Sequence, residues 1–358
     1  MPKKKQRSSA NSTDTTTPGK VNLKLLSKHL GLSSTTISLV LNDAPLAKRL
    51  SAKTRERVLQ AAAELGYKPN YFARSLSGKR SEMIGVLAPD FGDGYGSVLL
   101  SGIERQLLDR GYIYFVSSHL WSSQVLTRGL DTLIERGAEG LLLINTPLPA
   151  GITLPTVNIG SALSTESSSL ISIDNQFGMK LTLEHLVSLG HRRIAVLKGQ
   201  PSSADTEERW EAVQIAAQDV GVELPPHRAV QLERLGMEGL LGIDEGYIAT
   251  QKLLQQGIDF TAIICFNDTS ACGAMNALRD AGLRIPQDVS VIGFDDLPLA
   301  KGVYPTLTTI RQPLHEMGEQ AALNLISRIE NKSLAPIRVC VKPNLVVRNS
   351  TGAAPKTK

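Results

Sequence analysis

The sequence predicts an all-α helix-turn-helix headpiece followed by an α/β core of two lobes, each built on a doubly wound parallel sheet. Three observations carry this prediction. Before residue 66, short stretches with apolar residues at helical spacing are separated by breaks centred on Gly31 and Gly66. After Glu82, apolar runs of strand length alternate with stretches of helix length, the pattern of parallel strands buried on both faces. Charge is also divided: residues 1–80 hold 16 Lys and Arg against 4 Asp and Glu, a net +12, while residues 81–358 hold 23 against 30, a net −7. A small basic head on a larger acidic body points to an anionic polymer as the partner of the head alone.

The head reads element by element. Met1–Lys20 is rich in Ser, Thr and Lys and reads as a disordered basic tail. Asn22 caps a first helix whose inner face is Leu23, Leu26 and Leu30. Gly31-Leu32-Ser33 breaks it, and Ser33 caps a second helix over Thr35–Leu41 that turns Ile37, Val40 and Leu41 inward. Two short helices joined by such a turn make a helix-turn-helix. A third helix runs from the Ser51 cap to about Leu65, with Val58, Ala61, Ala62 and Leu65 inward and Gly66 as terminator. Pro69 opens a fourth, very short helix through Leu76; helices below about 12–15 residues are marginal alone, so this one needs a partner to fold. Ser77–Arg80 reads as a flexible joint.

In the core, strand-like runs lie at Met83–Ala88, Ile113–Ser117, Gly140–Asn145, Ile171–Ile173, Ile194–Leu197, Ala262–Phe266 and Val289–Phe294. Helical stretches alternate with them at Val98–Arg110, Gln124–Arg136, Phe177–Leu189, Arg209–Val220, Glu245–Gln256, Ser270–Ala281 and Leu314–Ile329. That count exceeds one small sheet and suggests two lobes with a cleft between them. The 358 residues agree, since one domain takes about 100–200.

Composition narrows the function classes. The three cysteines include no CxxC pair, so neither a disulfide framework nor a zinc knuckle is expected, and a reducing cytoplasm fits. The Lys3–Arg7 run is followed by polar residues rather than an apolar segment, so secretion is not expected. No stretch approaches about 18 uninterrupted apolar residues, which argues against a membrane partner. GxSxG, P-loop, GxGxxG and HExxH motifs are absent, so no enzyme is predicted and no cofactor or metal is expected. His185 and His191, six apart near a helix end, are poorly spaced for a shared metal and read as structural.

An ordered set of motifs is more specific. Leu32-Ser33-Ser34-Thr35-Thr36-Ile37-Ser38-Leu39-Val40-Leu41-Asn42 is followed by Thr54–Val58, Leu65-Gly66-Tyr67-Lys68-Pro69-Asn70 and Ala73-Arg74-Ser75-Leu76. Farther on come Leu189–Ala195, Phe266-Asn267-Asp268, Val291–Asp296 and Leu307–Ile310. Over roughly Val21–Thr351 the chain resembles the lactose-repressor family of bacterial transcription regulators. The resemblance implies a helix-turn-helix domain over 21–66 and a hinge helix and linker over 67–80. It implies a periplasmic-binding-protein-like effector core over 81–350, with a tail over 351–358. Three lobe crossings would give lobe 1 about 81–173 and 306–330, and lobe 2 about 174–305 and 331–350.

By the same resemblance the second helix enters the major groove of a double-stranded operator, with Ser34, Thr35 and Leu39 toward the bases. Ser33, Thr36, Ser38 and Asn42 would bond phosphates, which sets register without reading sequence. Asn22, Leu23, Lys53, Asn70 and Ala73 are further implied contacts. Leu76 would be the minor-groove wedge that kinks the duplex. Many relatives carry Arg at the position of Leu39, where it reads guanine; here a leucine offers only a methyl contact. The Asp43–Leu50 connection is longer than in the lactose repressor, and its Lys48 and Arg49 suit either phosphate contact or solvent.

In the inter-lobe cleft the resemblance implies a small-molecule effector, a sugar, held by Arg209, Asn267 and Asp295. Asp295 and Asn267 end strands, where open α/β sheets bind ligands. On the first lobe, Asp90-Phe91-Gly92-Asp93-Gly94-Tyr95 replaces the usual Asn-Pro-Phe loop, and Tyr95 and Trp121 are the candidate stacking faces. Asp268 and Asp296 suit a helix cap as well as a ligand contact, and both are read as structural. The segment past Thr351 is too short for a coiled-coil tail, so a homodimer on a palindromic operator is expected.

Overall fold

The computed structural model describes residues 21–42, 44–67, 80–160, 165–201, 203–233, 242–257 and 259–356, in two compact units divided after Ser81. In the first unit, α1 (Leu23–Leu30) begins where Asn22 Oδ1 accepts the Leu25 N–H at 2.9 Å and stops at Gly31, whose φ of +68° suits a residue without Cβ. Helix α2 (Ser34–Leu41) starts at the Ser33 cap and α3 (Ala52–Glu64) at the Ser51 cap, each hydroxyl accepting an N–H three residues on at 3.1 Å. Leu26, Ile37, Val40, Val58 and Ala61 close the core of this unit. Leu41, expected inside, is only half-buried; the Pro45–Arg49 turn, a 3₁₀ segment, inserts Ala47 into the core instead. The long connection is therefore folded into the head, with Lys48 and Arg49 exposed on it. The fourth helix and joint, residues 67–80, lie almost wholly outside the described residues, as do the contacts expected of Asn70, Ala73 and Leu76 and the tail 1–20.

The second unit holds two six-stranded sheets. Strands β1 (Met83–Ala88), β2 (Ile113–Ser118), β3 (Gly140–Ile144), β4 (Thr156–Ile159), β5 (Ser169–Ile173) and β11 (Arg338–Val341) form the first, in the order β11-β5-β4-β3-β1-β2, all parallel. Strands β6 (Ile194–Lys198), β7 (Ala229–Gln231), β8 (Ala262–Ile264), β9 (Ser290–Asp295), β10 (Thr308–Arg311) and β12 (Asn344–Val346) form the second, in the order β12-β10-β9-β8-β6-β7. Only β12 runs antiparallel, against β10. Helices α4 (Tyr95–Asp109), α5 (Ser123–Glu135) and α11 (Leu314–Glu330) belong to the first lobe. Helices α6 (Asn175–Ser188), α7 (Ala204–Asp219), α8 (Ile243–Gln255), α9 (Asp268–Asp280) and α10 (Pro298–Gly302) belong to the second. Helices α4 and α11 cross so closely that a Cβ on Gly102 would strike the His315 carbonyl, and one on Gly318 the Leu99 carbonyl.

The chain passes between the lobes three times, but not where the sequence boundaries put two of the crossings. Residues 308–311, expected in lobe 1, form β10 of the second sheet, and residues 338–341, expected in lobe 2, form β11 of the first. The crossings therefore follow β5, β10 and β11. Both strands are only four residues long, too short for a periodic signal, and β11 alternates exposed and half-buried residues as an edge does. Strand β2 also departs from the expected two-sided burial. It is the other edge, and Ile113, Phe115 and Val116 are 41, 45 and 42% exposed.

Candidate ligand cleft and nucleic-acid interface

Both sheets repeat one topology. Taking β1 or β6 as the first strand of its lobe, the first five strands lie in the order 2-1-3-4-5, so the connections leave the first and third strands in opposite directions. Such a switch point opens a crevice beyond the strands' carboxyl ends, where ligands bind. A cavity of about 240 Å³ lies there, lined from both lobes. Asp90–Tyr95 follow β1 and Asn145 follows β3; Gln200 follows β6, and Phe266 and Asn267 follow β8.

The backbone around this cavity is strained. Leu120, Trp121, Asn145 and Asp295 line it with φ of 50°, 61°, 42° and 117°, and adjoining Asp296 has 59°. Left-handed conformations in residues with a Cβ cost about 1–3 kcal/mol each and gather at functional sites. Glu82 is the one other such residue among those described.

All five effector-site candidates line the cavity: Tyr95 and Trp121 from the first lobe, Arg209, Asn267 and Asp295 from the second. Arg209, on α7, is buried and held on several sides. Its Nη1 donates to the Phe266 carbonyl at 2.6 Å, its Nε to Asn175 Oδ1 at 3.3 Å, and the guanidinium lies over the rings of Phe266 and Phe294, 4.6 and 3.9 Å from their centroids. Asp295 is buried at the end of β9, its Oδ1 accepting from Gln312 Nε2 at 2.7 Å. Burial holds its carboxyl well above the usual range; the Arg209 charge opposes this, and the Asp268 and Asp93 carboxylates add to it. Asn267 Oδ1 caps α9 through the Ser270 N–H at 2.9 Å, which leaves its amide N–H₂ and the second lone pair of Oδ1 for a ligand.

The first-lobe wall is built from the loop after β1. The Tyr95 N–H donates to Asp93 Oδ1 at 3.0 Å, and burial drives the Tyr95 phenol well above its ordinary pKa. Burial, with Asp90 beside it, pushes Asp93 up to about 6. Trp121 meets His119 edge-on at 6.2 Å, and His119 Nε2 is 3.1 Å from the Thr146 hydroxyl.

Sequence reasoning missed Asn145, Gln200, Asp205 and Glu245, which also line the cavity. The signal that could have found them is position: the first two follow strands, and the last two sit in the first turns of α7 and α8. Asp268 and Asp296 do not line it. Asp268 accepts from the Leu297 N–H at 2.7 Å and the Thr309 hydroxyl at 2.5 Å, while Asp296 pairs with Arg311 at 2.6 Å and Arg348 at 2.5 Å, which fixes the loop that carries Asp295. Likewise His191 bonds Thr261 and the Gly352 carbonyl, and His185 bonds Thr351; burial lowers both pKa values. Among the described residues no group of His, Cys, Asp and Glu is placed to hold a metal ion.

In the head, Ser34 and Thr35 stand exposed on the first turn of α2. Ser33 and Thr36 bond each other at 2.9 Å, and Asn42 Nδ2 donates to the carbonyl and hydroxyl oxygens of Ser38 at 2.7 and 3.1 Å. Leu39 is half-buried against the edge of the head core, so only part of it reaches outward. Asn22 is taken up as the cap of α1, Leu23 is half-buried, and Lys53 is exposed at the start of α3.

Comparison with known proteins agrees with this division. Residues 27–70 match the family described as "Bacterial regulatory proteins, lacI family", and residues 183–351 match a "Periplasmic binding protein-like domain". The chain is 32% identical to the ribose operon repressor of Escherichia coli K12, over 92% of this chain and 99% of that one. It is 29% identical to the HTH-type transcriptional repressor PurR of Pasteurella multocida, over 92% and 98%. Among solved structures it is similar to the lac repressor dimer bound to operator and the anti-inducer ONPF, with a TM-score of 0.81, 29% identity and coverage of 93% and 99%.

Proposed function

The chain belongs to the LacI family of bacterial regulatory proteins, and from that premise we propose that it binds a palindromic operator as a homodimer, as a repressor under control of a sugar-like effector in the inter-lobe cleft. The observation that carries this reading is the cavity at the switch points of both sheets, lined by residues from each lobe. A ligand bridging two lobes has a different affinity for each lobe arrangement, and that difference is the whole of its regulatory leverage. Arg209, Asn267 and Asp295 hold it from the second lobe, and Tyr95 and Trp121 from the first.

In the head, Ser34 and Thr35 read base edges and the outward part of Leu39 adds an apolar contact. Ser33, Thr36, Ser38, Asn42 and Lys53 anchor phosphates, with Asn22 and Leu23 beside them. Residues 67–80 act as the hinge, with Asn70, Ala73 and Leu76 at the minor groove. The dimer forms along the exposed β2 edge, whose Ile113, Phe115 and Val116 are the apolar surface a partner copy would cover. The protein works by binding rather than turnover, in the cytoplasm; among the described residues no helix is long and apolar enough to cross a membrane. Sequencing fragments of sheared host DNA retained by the purified chain tests the reading. Recovery of a shared inverted repeat supports it, and recovery of random fragments refutes it.

A further inference from the structure

Among the described residues the cleft wall carries more acid than base: Asp90, Asp93, Glu245 and Asp295 line it against one cation, Arg209. Arg209 is already engaged by Phe266 and Asn175. Asp295 and Glu245 are only 4 and 9% exposed, and each has one bonded oxygen. Asp295 Oδ1 is met by Gln312 and Glu245 Oε2 by Gln200, and among the described residues no donor meets the second oxygen of either carboxyl group. A carboxyl group so deeply buried either keeps its proton or is matched by a counter-charge or donors from whatever fills the space.

Among the described residues no three metal-ligating groups converge on one point. The acids come instead from separate elements around the wall, which suits a charge carried on an organic frame. The cavity of about 240 Å³ falls near the small end of ligand pockets, roughly 300–1,000 Å³, so the frame is a single ring. Tyr95, Trp121 and Phe266 supply aromatic faces that attract cations as well as apolar ring surface. A neutral sugar could donate its hydroxyls to these carboxylates but would leave their charge in place.

We propose that the effector is a cation: a hydroxylated molecule of monosaccharide size bearing a protonated amine. This rests on the cleft being the effector site, and the test separates the two. The full chain is titrated calorimetrically at pH 7.5 with D-glucosamine, D-galactosamine and D-mannosamine, each beside its parent hexose and its N-acetyl derivative. In at least one triplet the amine should bind at least tenfold tighter than both neutral counterparts. Glu245→Gln, which keeps the shape and removes the charge, should cut that preference at least threefold. The proposal is overturned if no amine exceeds its neutral counterparts, whether the neutral sugars bind or nothing in the panel does, or if Glu245→Gln leaves the preference intact. Arg209→Ala and Asp295→Asn report on the cleft itself. A neutral sugar whose binding both changes abolish keeps the cleft and sinks the charge assignment, whereas binding that neither change weakens sinks the cleft and the proposal together.

Discussion

Gln312 Nε2 donates to Asp295 Oδ1 at 2.7 Å, and the Gln312 backbone N–H reaches the Asp295 carbonyl at 3.3 Å. Gln312 lies between β10 of the second lobe and α11 of the first, so the carboxylate at the cavity wall is tied to an inter-lobe crossing.

Gln312→Leu should therefore cost stability as well as response. It strands a buried carboxylate oxygen without its donor, a loss of about 1–3 kcal/mol, readable as a lower urea midpoint with an unchanged slope. An unchanged midpoint would mean that the bond contributes nothing.

The Asp93 carboxyl, pushed up to about 6 chiefly by burial and then by Asp90, binds its proton more tightly in the folded chain than in the unfolded one. Its contribution favours folding below about pH 4 and is lost as pH rises through 6. Asp93→Asn should match the parent near pH 4 and exceed it at pH 7.5 by about 1–2 kcal/mol, after allowance for screening. Asparagine keeps the acceptor for the Tyr95 N–H, so the difference isolates the charge. Urea curves at pH 4, 6 and 7.5 that keep a constant offset would contradict this.

The legible parts of this molecule are those with local signals. The caps at Asn22, Ser33 and Ser51 and the break at Gly31 appear where their residue types place them. The strands Met83–Ala88 and Gly140–Ile144 were legible as apolar runs of strand length, and both are fully buried. Strands β4, β7, β10, β11 and β12 were not, because three or four residues cannot display a period; β8, just as short, was legible only because it opens the apolar run Ala262–Phe266. The cleft divides the same way. Arg209, Asn267 and Asp295 follow from motifs, but Glu245 and Asp205 enter through strand order, which no local pattern encodes.

At the head, Lys53→Ala should weaken binding to all duplexes alike and reduce the salt slope by about 1, as loss of one phosphate contact does. Thr35→Ala should instead relax preference at one base pair per half-site, by about 1–3 kcal/mol, and leave the slope alone. Titrations on operator and scrambled DNA at several salt concentrations distinguish the two; identical effects of both changes would refute the assignment.

Phe115→Asp places a charge on the exposed face of β2 and should yield monomers in sedimentation at micromolar concentration, with the fold kept. Operator affinity should fall with it, since the half-sites would be engaged singly. A variant that remains dimeric would move the interface elsewhere.

The most direct test of a dimeric, DNA-bending regulator is a nuclease footprint of the full chain on its best selected fragment. The expected pattern is two protected half-sites in inverted repeat, about one helical turn apart, with a hypersensitive centre where the hinge opens the duplex. Protection without symmetry, or sequence-indifferent binding that vanishes by about 200 mM salt with every ligand of the sugar and amino-sugar panel, would contradict it.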